Sequence, residues 1–187
     1  MNTYWFTIKT TGFPEEQLVS ISDKLYGLLE KSGGVDVLVA GDERGGEIEF
    51  SREAEDAVIA IVSAIEQVEQ AGLEVVGVTE DIVDVDSIAE RSGVSAAAVS
   101  NWTSGARGGG GFPRPVIERR RGSLWSWSQV SRWLEERKLG NVDHAAAEVA
   151  RVARFFDAVL IARRDRDDVI PSYRQERVRG LLADLIA

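Results

Sequence analysis

The stretch Asp86-Ser87-Ile88-Ala89-Glu90-Arg91-Ser92-Gly93-Val94-Ser95-Ala96-Ala97-Ala98-Val99-Ser100-Asn101-Trp102 decides how the middle of this chain is read. It spells two short helices joined by a tight turn. Asp86 or Ser87 can cap the first helix, because a short side-chain oxygen accepts from the free N–H groups of a helix start. Ile88 and Ala89 point inward. Gly93 supplies the turn, since a left-handed backbone costs glycine little. Val94 plugs the corner and Ser95 caps the second helix. Ala98, Val99 and Trp102 form that helix's buried stripe at three- and four-residue spacing. Ser95, Ala96, Ala97, Ser100 and Asn101 are left for its cap and outer face. The pattern is that of a helix-turn-helix, although an ordinary helical hairpin has the same spacing.

The residues downstream sharpen the reading. A Gly/Arg loop is followed by Phe112-Pro113-Arg114-Pro115-Val116, and then by Leu124-Trp125-Ser126-Trp127-Ser128-Gln129-Val130, which runs into Trp133-Leu134. Pro115 to Ile117 and Leu124 to Trp127 are expected as two strands, with Arg119 to Ser123 at the turn. Arg107, Arg114, Arg119, Arg120 and Arg121 are opposed locally only by Glu118. Small and amide-bearing residues suit a helix that enters a major groove. An arginine-tipped hairpin beside it suits phosphate or minor-groove contact. A solvated turn is the plain alternative for such a charge run. Trp102, Trp125, Trp127 and Trp133 are expected mostly as core.

Ser-Ile-Ala-Glu-Arg-Ser-Gly-Val-Ser at 87 to 95, Val-Ser-Asn-Trp at 99 to 102, Gly-Phe-Pro-Arg-Pro-Val at 111 to 116 and Leu-Trp-Ser-Trp-Ser-Gln-Val-Ser-Arg-Trp-Leu at 124 to 134 resemble the winged helix-turn-helix of MerR-like, AlpA-like and excisionase-type DNA-binding proteins. The resemblance covers about a third of the chain, residues 80 to 140. It implies a recognition helix over Ser95 to Trp102 and a backbone-contacting wing over Val116 to Trp127. Family members often carry a basic or long polar residue early in the recognition helix. Here Ala96 to Ala98 stand there, which shifts weight to Ser100, Asn101 and the wing.

Working outward, 187 residues with 44% apolar side chains suit one large or two small domains. The absence of cysteine excludes disulfides and thiolate metal sites, and a single histidine, His144, excludes a histidine-rich one. No cofactor is expected. No apolar run reaches the length of a membrane span, and the N-terminus has no basic-then-apolar leader, so a cytoplasmic protein is expected. Lysine occurs only at Lys9, Lys24, Lys31 and Lys138. The excess of arginine suggests a GC-rich bacterial or phage genome. The net charge of −9 is unevenly placed. Residues 1 to 80 hold 5 basic and 16 acidic side chains, residues 81 to 140 hold 9 and 7, and residues 141 to 187 hold 8 and 8. Local potential at a contact surface, not the total, governs affinity for nucleic acid.

Residues 1 to 80 read as a separate unit. Tyr4 to Thr10 alternates as a strand. Phe13-Pro14-Glu15-Glu16 opens a helix with Leu18, Ile21, Leu25 and Leu28 or Leu29 inward. Val35 to Ala40 and Glu47 to Phe50 form a hairpin. Ser51 is expected to cap a helix with Ala54, Val58, Ile61, Ile65 and Val68 inside. Leu73 to Val78 is a fourth strand. The order β-α-β-β-α-β is that of a ferredoxin-like split βαβ fold, which hosts many functions. Asp42, Glu43, Glu47 and Glu49 cluster near the hairpin, but exposed acids are far commoner than catalytic ones. Gly105 to Gly111 lacks the preceding strand and the Lys-Ser/Thr of a phosphate cradle, and reads as a flexible loop.

Thr79 to Val85 reads as a hinge. Ser128 is expected to cap a helix to Lys138, with Val130, Trp133 and Leu134 inward. Asp143 caps a long helix to about Arg164, whose apolar side holds Ala146, Val149, Val152, Ala153, Phe156, Val159 and Leu160. Arg163 to Asp168 marks a turn, and Pro171 opens a last helix. The expectation is therefore an α+β chain of three parts: a ferredoxin-like sensor or dimerisation domain at 1 to 80, a winged helix-turn-helix at 81 to 140, and a C-terminal helical extension at 141 to 187. It is expected to act as a sequence-specific regulator binding double-stranded DNA, with no catalytic or metal site. It could form a homodimer through its N-terminal domain or its C-terminal helices. The alternative is an adaptor whose winged module binds a protein partner.

Overall fold

A computed structural model describes residues 1–32, 36–120, 122–171 and 178 of the chain. The architecture is mixed α and β. Strand β1 spans Asn2–Thr10 and a 3-10 turn Glu15–Gln17 leads into helix α1, Leu18–Ser32. Strands β2, Asp36–Asp42, and β3, Gly45–Ala54, follow, then helix α2, Ala57–Gln70, and strand β4, Val75–Val78. The four strands form one antiparallel sheet in the order β2-β3-β1-β4.

Alternation along β1 and β3 sorts the side chains to two faces. Tyr4, Phe6 and Ile8 of β1 and Ile48 and Phe50 of β3 are buried against Ile21, Leu25 and Leu29 of α1 and Ile61, Ile65 and Val68 of α2. Phe6 and Phe50, paired in register, stack with centroids 5.6 Å apart. Each such side chain contributes roughly 1.5–3 kcal/mol on burial. The other face is open and carries Trp5, Leu38, Glu47 and Glu49.

The junction of β3 and α2 differs from the sequence expectation. Ser51 caps no helix. It stays in β3, because β1 begins at Asn2 and offers paired backbone to every residue up to Ala54. Asp56 caps α2 instead, its Oδ1 accepting from the Ile59 N–H at 2.8 Å. Ile61, Ile65 and Val68 face the core as expected, joined by Ala57, Ala60 and Ala64, while Val58, expected inside, is exposed.

The middle of the chain holds β5 (Ile82–Val83), α3 (Val85–Ser92), α4 (Ala96–Thr103), β6 (Trp125–Ser126) and α5 (Trp127–Arg137). The expected hinge at Thr79 to Val85 thus contains a strand, and β5 pairs antiparallel with β6. Ser126, not Ser128, precedes α5. A second core gathers Val83, Ile88, Val99, Val130, Leu134 and the four tryptophans Trp102, Trp125, Trp127 and Trp133.

Helix α6, His144–Val169, ties the two cores together. Its Val149, Ala153 and Leu160 belong to the sheet's core, while Ala150 belongs to the tryptophan-rich one. Glu148 accepts from the Tyr4 hydroxyl and from the Ala57 N–H at the start of α2, both at 3.1 Å. Asp157 Oδ1 accepts from the Val78 N–H at 3.1 Å. That contact covers the outer edge of β4, where an open strand edge would invite mispairing. The approach depends on Gly77, since a Cβ there would lie 2.4 Å from Asp157 Oδ1. Arg163 to Asp168, expected as a turn, continues the helix to Val169. The three arginines are good helix formers, the aspartates cost little, and nothing breaks the run before Pro171. The expected last helix lies, but for Pro171 and Val178, outside the described residues. Among the described residues no helix is long and apolar enough to cross a membrane.

Candidate nucleic-acid interface

The site is built from α4 outward. Asp84, rather than Asp86 or Ser87, caps α3, its Oδ1 accepting from the Ser87 N–H at 2.8 Å. Those bonds from the Ser87 backbone and then its hydroxyl hold the Asp84 carboxyl below its ordinary value. Gly93 turns the chain at φ 67°, where a side chain would be strained. The Val94 N–H returns to the Ala89 carbonyl at 3.0 Å. Ser95 caps α4 by accepting from the Ala98 N–H at 3.2 Å. Val99 and Trp102 anchor α4 in the core, and this rotation sets its outer surface. Ser95, Ala97 and Ser100 are exposed and Asn101 is half-exposed. Ala96, expected outside, is half-buried against the core together with Ala98.

The glycine-rich segment after α4 is more ordered than a slack loop. The Arg107 N–H donates to the Asn101 carbonyl at 3.1 Å, which sets the exposed Arg107 beside the end of α4. Arg137 of α5 reaches across, with Nε on the Gly108 carbonyl at 3.2 Å and Nη2 on the Gly110 carbonyl at 3.0 Å. Its guanidinium also lies 4.7 Å over the Trp133 ring. Trp133 Nε1 donates to the Gly110 carbonyl at 3.2 Å. Gly108, at φ 87°, crosses between Trp102 and Trp133, where a Cβ would meet both rings at 2.8 Å. The segment is a strap laid over aromatic rings.

Past the strap, Trp125 Nε1 holds the Pro113 carbonyl at 3.2 Å, and Phe112 meets Trp133 edge-on at 4.9 Å. The two strands expected here are narrower than the alternation suggested. Ile117 and Leu124 form a single bridge, and Trp125–Ser126 pairs with β5 instead. Arg119 and Arg120 project from the loop beyond that bridge. Both are exposed, and neither has a side-chain partner among the described residues. Arg121 lies outside the described residues. Arg114 is not at this tip. It lines a cleft of about 930 Å³ between Gly111–Val116, α5 and α6.

Arg132, Arg151 and Arg154 line the same cleft and escaped the sequence reading. Arg151 and Arg154 signalled only by their spacing of three on the helix that follows Asp143, which resembles ordinary surface charge, and Arg132 gave no signal of its own. Arg151 pairs with Glu135 at 3.2 Å and Arg154 with Glu80 at 3.6 Å. The acids Asp42, Glu43, Glu47 and Glu49 assemble no site. Asp42 pairs with Arg44 at 2.7 Å, and among the described residues no cluster of His, Asp or Glu could hold a metal ion. Chemically, the α4 surface offers hydroxyls, an amide and small side chains, with the exposed Arg107 at its C-terminal end. Comparison with family models, with curated proteins and with solved structures finds no match to this chain.

Proposed function

We propose that this protein is a sequence-specific, double-stranded-DNA-binding regulator of the cytoplasm. In this reading the middle module is a winged helix-turn-helix, with α4 in the major groove and the loop bearing Arg119, Arg120 and Arg121 on the backbone. The N-terminal sheet is a ferredoxin-like unit that senses, dimerises or binds a partner. The observation that carries the reading is the pairing of two features. One is an α4 outer surface of exposed Ser95, Ala97 and Ser100, and the other is a pair of arginines, Arg119 and Arg120, without partners among the described residues.

Each feature suits its task. The eight residues of α4 span roughly 12 Å, and small side chains let such a helix settle into the major groove. The Asn101 amide can bond an adenine edge in two places, and the Ser100 hydroxyl either gives or takes a bond. Guanidinium groups on phosphates release counterions and supply most of the affinity. The acidic unit, repelled by phosphate, faces away. A symmetric dimer would set two α4 helices on half-sites about one helical turn apart.

The three alanines at Ala96 to Ala98 favour a second reading, an adaptor whose module binds protein. Selection of bound fragments from random duplex DNA separates the two. The regulator enriches a short motif, palindromic if a dimer binds. An adaptor enriches nothing above background.

A further inference from the structure

The cleft beside the arginine-bearing loop has a composition that duplex DNA does not need. Its walls mix cations with apolar surface. Phe155, 49% exposed, lines it together with Pro113, Pro115 and Val116. Arg151 and Arg154 stand one turn apart on α6, and Arg132 lies across from them on α5. Arg114 and Arg132 have no side-chain partner among the described residues. The lining holds four arginines and one acid, Glu136, and two of the arginines, Arg151 and Arg154, are paired with Glu135 and Glu80. Prolines contribute rigid walls without backbone donors to satisfy. Its size falls within the range of ligand-binding clefts.

We propose that this cleft docks an acidic linear segment of a partner protein, an extended peptide whose carboxylates meet Arg114, Arg132 and the spare donors of Arg151, and whose aromatic or branched side chain covers Phe155. Charge complementarity selects the occupant. A guanidinium fork matches a carboxylate in two-point geometry. In an extended peptide, alternate side chains share a face at about 6.6 Å, so acids can alternate with apolar anchors. A duplex presents convex rows of phosphate, which would leave Phe155 and the proline wall uncovered. The proposal does not depend on DNA binding by α4.

The test pans the full chain against a display library of short random peptides. It uses two variants at exposed positions, Arg132→Glu and Phe155→Ser, alongside the Arg119→Glu/Arg120→Glu double variant. Far-ultraviolet circular dichroism checks that each is folded. Enriched peptides are expected to combine Asp or Glu with an aromatic or branched residue. They should bind Arg132→Glu at least about tenfold more weakly, lose affinity for Phe155→Ser, and bind the Arg119/Arg120 variant as they bind the wild type. Three results overturn the proposal. One is that no peptide is enriched, or that those enriched lack acids. Another is that Arg132→Glu and Phe155→Ser abolish duplex binding and leave peptide binding unchanged, which assigns the cleft to DNA. The last is that Arg132→Glu dissolves a dimer seen by sedimentation, which assigns it to a second copy.

Discussion

Replacing Arg137 by alanine should loosen the strap that joins α4 to the arginine-bearing loop. Arg137 makes two hydrogen bonds from a charged donor, to the Gly108 and Gly110 carbonyls, and lies over Trp133. A bond to a charged group contributes about 1.5–3 kcal/mol when shielded. Arg137 is 29% exposed on its side chain, and the carbonyls can recover water, so about 1 kcal/mol for each bond is appropriate. The cation over the ring adds about 0.5–1 kcal/mol. The expected loss is about 2–3 kcal/mol. It is measurable by urea unfolding followed through tryptophan fluorescence, because four of the five tryptophans lie in this module's core. Arg137→Lys should recover less than half, since an ammonium lacks the fork that spans both carbonyls. Duplex affinity should fall in the same variant at temperatures where it stays folded. An alanine variant within about 0.5 kcal/mol of wild type, at an unchanged urea slope, would refute the strap.

Other substitutions probe separate joints. Asp84→Ala removes the α3 cap and should cost about 1 kcal/mol. Because the folded carboxyl is held below its ordinary value, its stabilising share is present above the unfolded value, near 3.8, and is lost as the pH falls through the folded one. The difference between wild type and Asp84→Ala should therefore shrink in acid unfolding series below about pH 4. Gly77→Ala pushes the Asp157 carboxylate off the Val78 N–H and should cost about 0.5–1.5 kcal/mol by urea unfolding, the net worth of that bond. An unchanged midpoint would mean that α6 does not cover that edge. Ala97→Arg adds a cation to the exposed side of α4. It should tighten duplex binding and steepen the salt slope by about 1, and weaker binding would place that surface away from DNA.

The parts legible in the sequence were those set by local chemistry. The strand-helix alternation of residues 1 to 80 rests on periodicity, and Tyr4, Phe6 and Ile8 fall inward as two-residue spacing requires. The turn at Gly93 and the caps at Ser95 and Asp143 follow from side-chain oxygens and one left-handed residue. Misplaced boundaries had non-local causes. Ser51 looks like a cap until β1 is known to pair with it, and Ile82–Val83 is too short to announce that Trp125–Ser126 will join it. The dual role of α6 was hidden for a related reason. Ala147, Ala150 and Ala153 permit close approach on that helix without naming the neighbour. An amphipathic pattern of that kind serves a second chain as well as this one. At the candidate site, the arginine run was visible, but the placement of Arg114 in the cleft depends on how Phe112 and Pro113 pack on Trp133 and Trp125.

The most direct measurement is the affinity for duplex DNA as a function of salt, by fluorescence anisotropy, for wild type and for Arg119→Glu/Arg120→Glu/Arg121→Glu. If Arg107, Arg114, Arg119, Arg120 and Arg121 each meet a phosphate, the logarithm of affinity should fall with the logarithm of salt at a slope of about −4 to −5. If Arg114 serves the cleft alone, the slope should drop by about 1. The triple variant should lose binding and keep its unfolding midpoint. A wild-type chain that fails to bind duplex at low salt, or a triple variant that binds as wild type does, would contradict the account.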